Sequence, residues 1–258
     1  MGVLNVTPDS FSDGGRYLDA LAAFDGAREM IDAGADIIDI GGESTRPGAA
    51  ATPEAVEVER VLPLIERIAA LGTPVSVDTR KSAVMRAAIA AGASMINDVS
   101  ALRAPGALEA VAGAATPVAV CLMHMRGEPG TMQQHLAYTD VVTEVGAFLA
   151  ERAGACEDAG IGRERIAVDP GFGFGKTVEH NLDLLRRLPE LVALGYPVVV
   201  GLSRKSTIGA LTGRVVDERL PGSVAAALSA VARGAKIVRV HDVRETVDAL
   251  KVWNAVNA

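Results

Sequence analysis

Cysteine is scarce in this chain. Two occur in 258 residues, Cys121 and Cys156, with neither the spacing of metal ligands nor the even set of a disulfide framework, which excludes a cysteine-built metal module and a stapled secreted scaffold. Positive charge is in deficit. A net charge of -7 gives no general attraction to nucleic acid or anionic membrane, so any anionic ligand must be caught by a few placed Arg and Lys side chains. No apolar run reaches the ~18 residues of a membrane-spanning helix. The N-terminus lacks the charged region and long apolar stretch of a secretory leader, and there is no low-complexity tract, linker or charge block. A reducing cytoplasm is the setting these absences fit.

What is present is hydrophobic: 49% of the residues, enough for one large core. Apolar runs recur at Val3 to Val6, Ile37 to Ile40, Val75 to Val77, Met95 to Ile96, Val118 to Leu122, Ile166 to Val168, Val198 to Val200 and Ile237 to Val240. Such runs without polar alternation read as parallel strands covered on both faces. Helical patterns fill the gaps, and Gly34, Gly72, Gly92, Gly160, Gly195 and Gly234 stand just ahead of the next strand, where a left-handed helix stop belongs. Eight such units predict an α/β fold, a (β/α)8 barrel with residues 1–258 as one domain. Thr52-Pro53-Glu54 reads as a helix opening with Thr52 as N-cap, the helix running to about Leu71. Long loops are expected after strands 1, 2 and 5, at about Thr7 to Leu18, Gly41 to Ala51 and Met125 to Tyr138, on the face where such barrels do chemistry.

The densest signal is Ile166 to Lys176, I-A-V-D-P-G-F-G-F-G-K. A strand ends in Asp169, Pro170 interrupts the ladder, and three glycines allow the backbone to turn or to approach a ligand closely. It is not a P-loop, which needs glycine where Pro170 stands, nor a dinucleotide fingerprint, which needs glycine at Lys176. One such loop alone equally fits an ordinary strand-to-helix turn. The other strand ends decide the matter, because each carries a polar group: Asn5, Glu43 to Arg46, Asp78, Asn97 with Asp98, His124, Asp169, Ser203 to Lys205, and Arg239 with His241. One of these acids, Asp98, reads more simply as a helix N-cap, and His124 is as well explained by a structural role as by a basic one. As a set they exceed what stability requires. Arg46, Arg239 and His241 with Asn5 suit a diphosphate and its Mg²⁺. Asp78, Asn97, Asp169 and Lys205 suit the hydrogen-bonding edge of a planar heterocycle, with Met123 and Phe174 as candidate walls.

Seven motifs in order complete the pattern: M-G-V-L-N-V-T-P-D-S-F-S-D-G-G from Met1, G-E-S-T-R-P-G from Gly42, V-D-T from Val77, N-D-V from Asn97, D-P-G-F-G-F-G-K from Asp169, S-R-K-S from Ser203 and R-V-H-D from Arg239. In these the chain closely resembles the bacterial dihydropteroate synthases, from Met1 to the last helix. The resemblance implies a transferase of folate biosynthesis that joins p-aminobenzoate to 6-hydroxymethyl-7,8-dihydropterin diphosphate, releasing diphosphate, and that is a sulfonamide target. It implies that Asp78, Asn97, Asp169 and Lys205 hold the pterin, with Met123 and Phe174 beside it. Asn5 would meet Mg²⁺, and Arg46, Arg239 and His241 would bind the leaving group. Thr45 would lie on the pterin-methyl side, while Phe11, Pro47, Lys205 and Ser206 would shape the p-aminobenzoate slot. It further implies a homodimer built through barrel helices. Members of that family usually carry a stretch ahead of the first strand that crosses the barrel floor; this sequence starts at the strand. Two rival readings are a methyltetrahydrofolate-binding corrinoid methyltransferase barrel, which needs no diphosphate clamp, and a non-catalytic pterin-binding module.

Overall fold

Eight short parallel strands supply the scaffold of the computed structural model, which describes residues 1–6, 16–44, 51–127, 130–132 and 136–257. They are β1 (Gly2–Asn5), β2 (Ile38–Gly41), β3 (Val75–Asp78), β4 (Met95–Asp98), β5 (Ala119–Met123), β6 (Ile166–Asp169), β7 (Val199–Val200) and β8 (Ile237–Val238). The first six pair in sequence order and β7 pairs with β8. Parallel bridges Val168↔Val198 and Gly2↔Val240 join that pair to both edges, so the sheet closes into a barrel, as expected from the eight apolar runs.

Around it lie α1 (Arg16–Asp32), α2 (Glu54–Ala69), α3 (Ser82–Ala90), α4 (Ala107–Ala112), α5 (Val141–Asp158), α6 (Val178–Arg186), α7 (Leu188–Val192), α8 (Ser206–Thr212), α9 (Leu220–Val231) and α10 (Val243–Asn257). The six glycines expected ahead of strands have φ between +80° and +105°, the left-handed stop that only glycine takes without strain. The units after β6 and β7 each carry two helices. Pro189 in the first turn of α7 cannot continue a helix from α6, and Gly213 ends α8 in the left-handed conformation. Helix α2 opens one residue later than the sequence suggests: Pro53 is its N-cap, and no side chain caps it. Thr52 is committed elsewhere, its backbone N–H donating to Glu43 Oε1 at 2.8 Å.

Strand residues alternate between two environments. Outward-facing Ile38, Ile40, Val77, Ile96, Leu122 and Val168 pack under the helices in the main core with Ile65, Met85 and Leu149. Inward-facing Met95, Cys121, Ala167 and Val199 form a separate plug with Met1 and Ile237. Above that plug the inward positions turn polar. Register aligns Asn5 with Gly41, Gly41 with Asp78 and Asp78 with Asn97, while Met123 pairs with Asp169 two residues further along the staggered sheet. The scaffold thus delivers the predicted polar groups to one rim.

Loops on that rim are tied down by ions. Lys81 Nζ donates to Glu57 Oε2 at 2.5 Å and to Glu43 Oε1 at 2.9 Å, linking the loops after β2 and β3 to α2. Glu57 is fully buried, and its Oε1 has no partner among the described residues. Lys81→Met strands the buried Glu57 carboxylate, while Glu43 keeps Arg80 at 3.3 Å, and should cost ~3–5 kcal/mol, whereas Glu57→Leu leaves Lys81 paired with Glu43 and should cost less than about 2 kcal/mol. Urea unfolding of both variants checks this ordering, and equal costs would contradict it.

Candidate functional site

The centre of the barrel mouth is a guanidinium. Arg239, just past β8, donates from Nε to Asp39 Oδ2 at 2.6 Å and from Nη2 to Asp78 Oδ2 at 2.9 Å. Asn97 Nδ2 donates to the same Asp39 oxygen at 3.3 Å. Asp39 is fully buried, and its Oδ1 has no partner among the described residues. Burial raises the Asp78 carboxyl above the ordinary carboxylate range; Arg239 opposes this and Asp39 adds to it. The sequence reading divided the polar residues into a diphosphate group containing Arg239 and a heterocycle group containing Asp78. The structure does not keep them apart, because Asp39 draws Arg239 inward until it touches Asp78.

Asp169 stands across the mouth at the end of β6. Its Oδ1 accepts the Gly171 N–H at 2.7 Å, and burial raises its pKa with Lys205 as the main opposing charge. Lys205 Nζ lies 2.5 Å from the Phe172 oxygen and 4.8 Å from the Phe174 ring centroid; burial pulls its ammonium down to about 8. Gly201 lies beside this pair, and a Cβ there would be in ordinary contact with Lys205 Nζ and Arg239 Cβ, each at 3.8 Å. Phe174 packs with Val99, Met123, Met125 and Met132, so the two predicted wall residues share one polarizable surface. Asn5 sits where β1 ends, its Oδ1 at 3.4 Å from where a Cβ on Gly41 would be.

The loops after β7 and β8 are fastened to each other. Ser203 Oγ accepts the His241 N–H at 3.2 Å and lies 3.1 Å from His241 Nδ1. Arg204 grips both carboxylate oxygens of Asp242, at 3.0 and 2.5 Å. It does so with φ +59°, an uncommon conformation for a side chain this large, held by Ser223 Oγ on its N–H and Arg219 on its oxygen. That turn sets Lys205 and then Ser206, the exposed first residue of α8.

One sequence expectation is corrected. Asp98 caps no helix: its oxygens accept Ser100 N–H at 2.7 Å and Leu102 N–H at 2.8 Å in the turn after β4, and α4 begins only at Ala107. For His124, left open between a structural and a basic role, the surroundings favour the structural one. His124 is buried with its Nδ1 3.0 Å from Lys176 Nζ, and burial, reinforced by that ammonium, pushes its pKa down to about 3. Phe11, Thr45, Arg46 and Pro47 lie outside the described residues. Sequence reasoning missed Asp39, the Arg204–Asp242 pair and Lys176. Asp39 did carry a signal, an acid inside the apolar run Ile37 to Ile40. A cleft of about 610 Å³ opens beside the mouth between the loops after β3 and β4, but its Arg80 and Lys81 are committed to Glu43 and Glu57. No helix among the described residues is long and apolar enough to cross a membrane.

Comparison with known proteins agrees with this geometry. The family model described as "Pterin binding enzyme" matches residues 1–241. The dihydropteroate synthase of Neisseria meningitidis serogroup C is 54% identical over 260 residues, covering 99% of this chain and 92% of its own. A solved structure of the Xanthomonas albilineans dihydropteroate synthase with 4-aminobenzoic acid superposes with a TM-score of 0.94 at 56% identity, over 100% of this chain and 92% of that one. Another from the same organism, in complex with 7,8-dihydropteroate, gives 0.90 at 53% identity, over 100% and 93%. The match extends over nearly the whole length in sequence and in fold, and the chain belongs to the dihydropteroate synthase family.

Proposed function

We propose that the chain condenses 6-hydroxymethyl-7,8-dihydropterin diphosphate with p-aminobenzoate, giving 7,8-dihydropteroate and diphosphate. The observation that carries this reading is the gathering of Asp78, Asn97, Asp169, Lys205 and Arg239 on one rim from five different strands. The relatives solved with 4-aminobenzoic acid and with 7,8-dihydropteroate support it.

In this reading Asp169 and Asp78 accept paired N–H groups of the pterin edge, while Asn97 and Lys205 meet its remaining polar atoms. Each hydrogen bond to a charged group contributes about 1.5–3 kcal/mol, so a few of them hold a small ring selectively. Asp78 is at present bonded to Arg239, and pterin N–H groups replace that contact. Arg239 keeps its bond to Asp39 through Nε, so its Nη groups are released toward the diphosphate beside His241. The carbon–oxygen bond then breaks with its electron pair leaving on the diphosphate, where the guanidinium and imidazole stabilise the charge. The pterin ring delocalises the cation left behind. The aniline nitrogen adds to that carbon and passes its proton to the departing diphosphate, with no side-chain nucleophile. Arg46 joins the leaving-group clamp, and Phe11, Thr45, Pro47 and Ser206 shape the aminobenzoate side.

The donor set fits Mg²⁺ held chiefly by substrate. No group of three or more His, Cys, Asp or Glu among the described residues forms a metal cage, whereas Mg²⁺ commonly takes one or two protein oxygens and completes its shell with phosphate and water. Asn5 Oδ1 would be that oxygen, and the ion would neutralise diphosphate charge. The proposal extends to a cytoplasmic setting, in keeping with the free thiols of Cys121 and Cys156. It also extends to a homodimer whose contact would cover apolar side chains exposed on the helices, Leu211 and Val252 among them.

Incubation with both substrates and Mg²⁺ should release diphosphate and 7,8-dihydropteroate in equal amounts, and release without product would sink the reading. The pH profile of kcat/KM for the pterin substrate should be a bell. It falls on the acid side where Asp78, raised by burial, takes a proton and loses an acceptor, and falls again above about 8 where Lys205 loses its proton.

Sulfonamides should compete with p-aminobenzoate, because they present the same aniline ring and a pocket that merely fits the smaller acid cannot strongly reject a near isostere. Helix α8 starts directly after Lys205, which leaves no inserted steric element there. Initial rates at several p-aminobenzoate concentrations test this: an inhibition constant near the KM for p-aminobenzoate is expected, and one far above it would contradict it.

A further inference from the structure

Lys176 closes the glycine-rich loop and is 5% exposed, a costly place for an ammonium unless its N–H groups are taken up. They are taken up by main chain. Nζ lies 3.0 Å from the oxygens of Gly171 and Phe174, 3.3 Å from that of His124, and 3.0 Å from His124 Nδ1. Its three donor hydrogens thus face three carbonyls and a neutral imidazole, and nothing is left over for a ligand.

These acceptors belong to two loops of the site. His124 follows Met123 at the end of β5, and Gly171 and Phe174 follow Asp169 at the end of β6. The two chains approach so closely that a Cβ on Gly171 (φ +70°) would fall 2.0 Å from the His124 oxygen. Carbonyl oxygens converging from both sides repel one another, and the Lys176 Nζ hydrogens shared among them permit the approach; burial pulls the pKa of this group down to about 7. Other polar groups of the loop are also engaged: Phe172 O by Lys205, Gly173 N–H by Asn181 Oδ1 and Gly175 O by Tyr138 OH. Gly171 N–H holds Asp169. The direction of the Asp169 carboxylate and the placement of Phe174 therefore depend on a backbone that Lys176 holds from behind.

We propose that Lys176 is a positioning residue for the pterin: by tying the loop after β5 to the loop after β6 it aims Asp169 and Phe174, while touching no substrate itself. This rests on the function proposed above. Lys176→Met keeps the length of the side chain and removes the amino group that donates to the carbonyls. The variant should bind pterin roughly tenfold more weakly by calorimetry, and its KM for pterin diphosphate should rise in step, while the KM for p-aminobenzoate at saturating pterin diphosphate changes by less than about threefold. A merely structural role would not produce that split. A folded Lys176→Met, judged by circular dichroism, with pterin affinity within about twofold of wild type would overturn the proposal, as would equal rises in both KM values. Should this variant not fold, His124→Leu, which removes only the imidazole acceptor, carries the test: about threefold weaker pterin binding is expected, and unchanged binding overturns the proposal. Failure of the wild-type protein to bind pterin would sink the functional reading itself, whereas wild-type binding with an indifferent Lys176→Met sinks only this inference.

Discussion

The bond from Arg239 to Asp39 and Asp78 crosses the barrel from the eighth strand to the second and third, joining residues 200 and 161 positions apart in sequence. The polar mouth depends on it. Placing Asp39, Asp78 and Asp169 within one rim is prohibitive unless cations stand among them, since a buried charge left unpaired costs several kcal/mol. Arg239 answers the first two, and Lys205 and Lys176 stand on the two sides of the loop that carries the third. In the proposed reaction, ligand hydrogen bonds replace protein ones and no charge in the rim is left alone at any stage.

The scaffold makes that arrangement possible by giving the inward strand positions two layers. Met95, Cys121, Ala167 and Val199 fill the lower part of the barrel with apolar side chains beneath the polar layer. Outward positions are apolar apart from Asp98 at the end of β4, and their packing against the helices supplies most of the stability that the polar layer costs. Glycine at Gly171 allows the main chain of the loops after β5 and β6 to approach more closely than any Cβ permits. Stability and chemistry therefore occupy opposite faces of the same strands.

Much of this was legible in the sequence because parallel strands are apolar on both faces, and every apolar run proved to be one. The glycine stops were legible because a left-handed residue has one cheap solution. Asp78, Asn97, Asp169, Lys205, Arg239 and His241 were legible because barrel chemistry gathers at strand carboxyl ends. What escaped has physical reasons. Asp39 sits in the middle of a strand, and nothing local says which face of a barrel strand points inward. The contact of Arg239 with Asp78 is set by barrel closure and stagger, which no local pattern encodes. Lys176 stood in plain view as a broken P-loop match, but its role comes from carbonyls of a loop some fifty residues earlier. Asp98 and Thr52 misled because an acid or hydroxyl beside a turn has several equally good partners, and tertiary contacts chose others than a helix end.

The central claim is that buried carboxylates on this rim read the edge of a pterin ring. Asp169→Asn tests it most directly, since the amide offers one acceptor oxygen and an opposed donor in place of two acceptors. Titration calorimetry of a pterin into wild type and variant should show affinity falling at least thirtyfold, about 2 kcal/mol. Unchanged affinity in a folded variant would contradict the account.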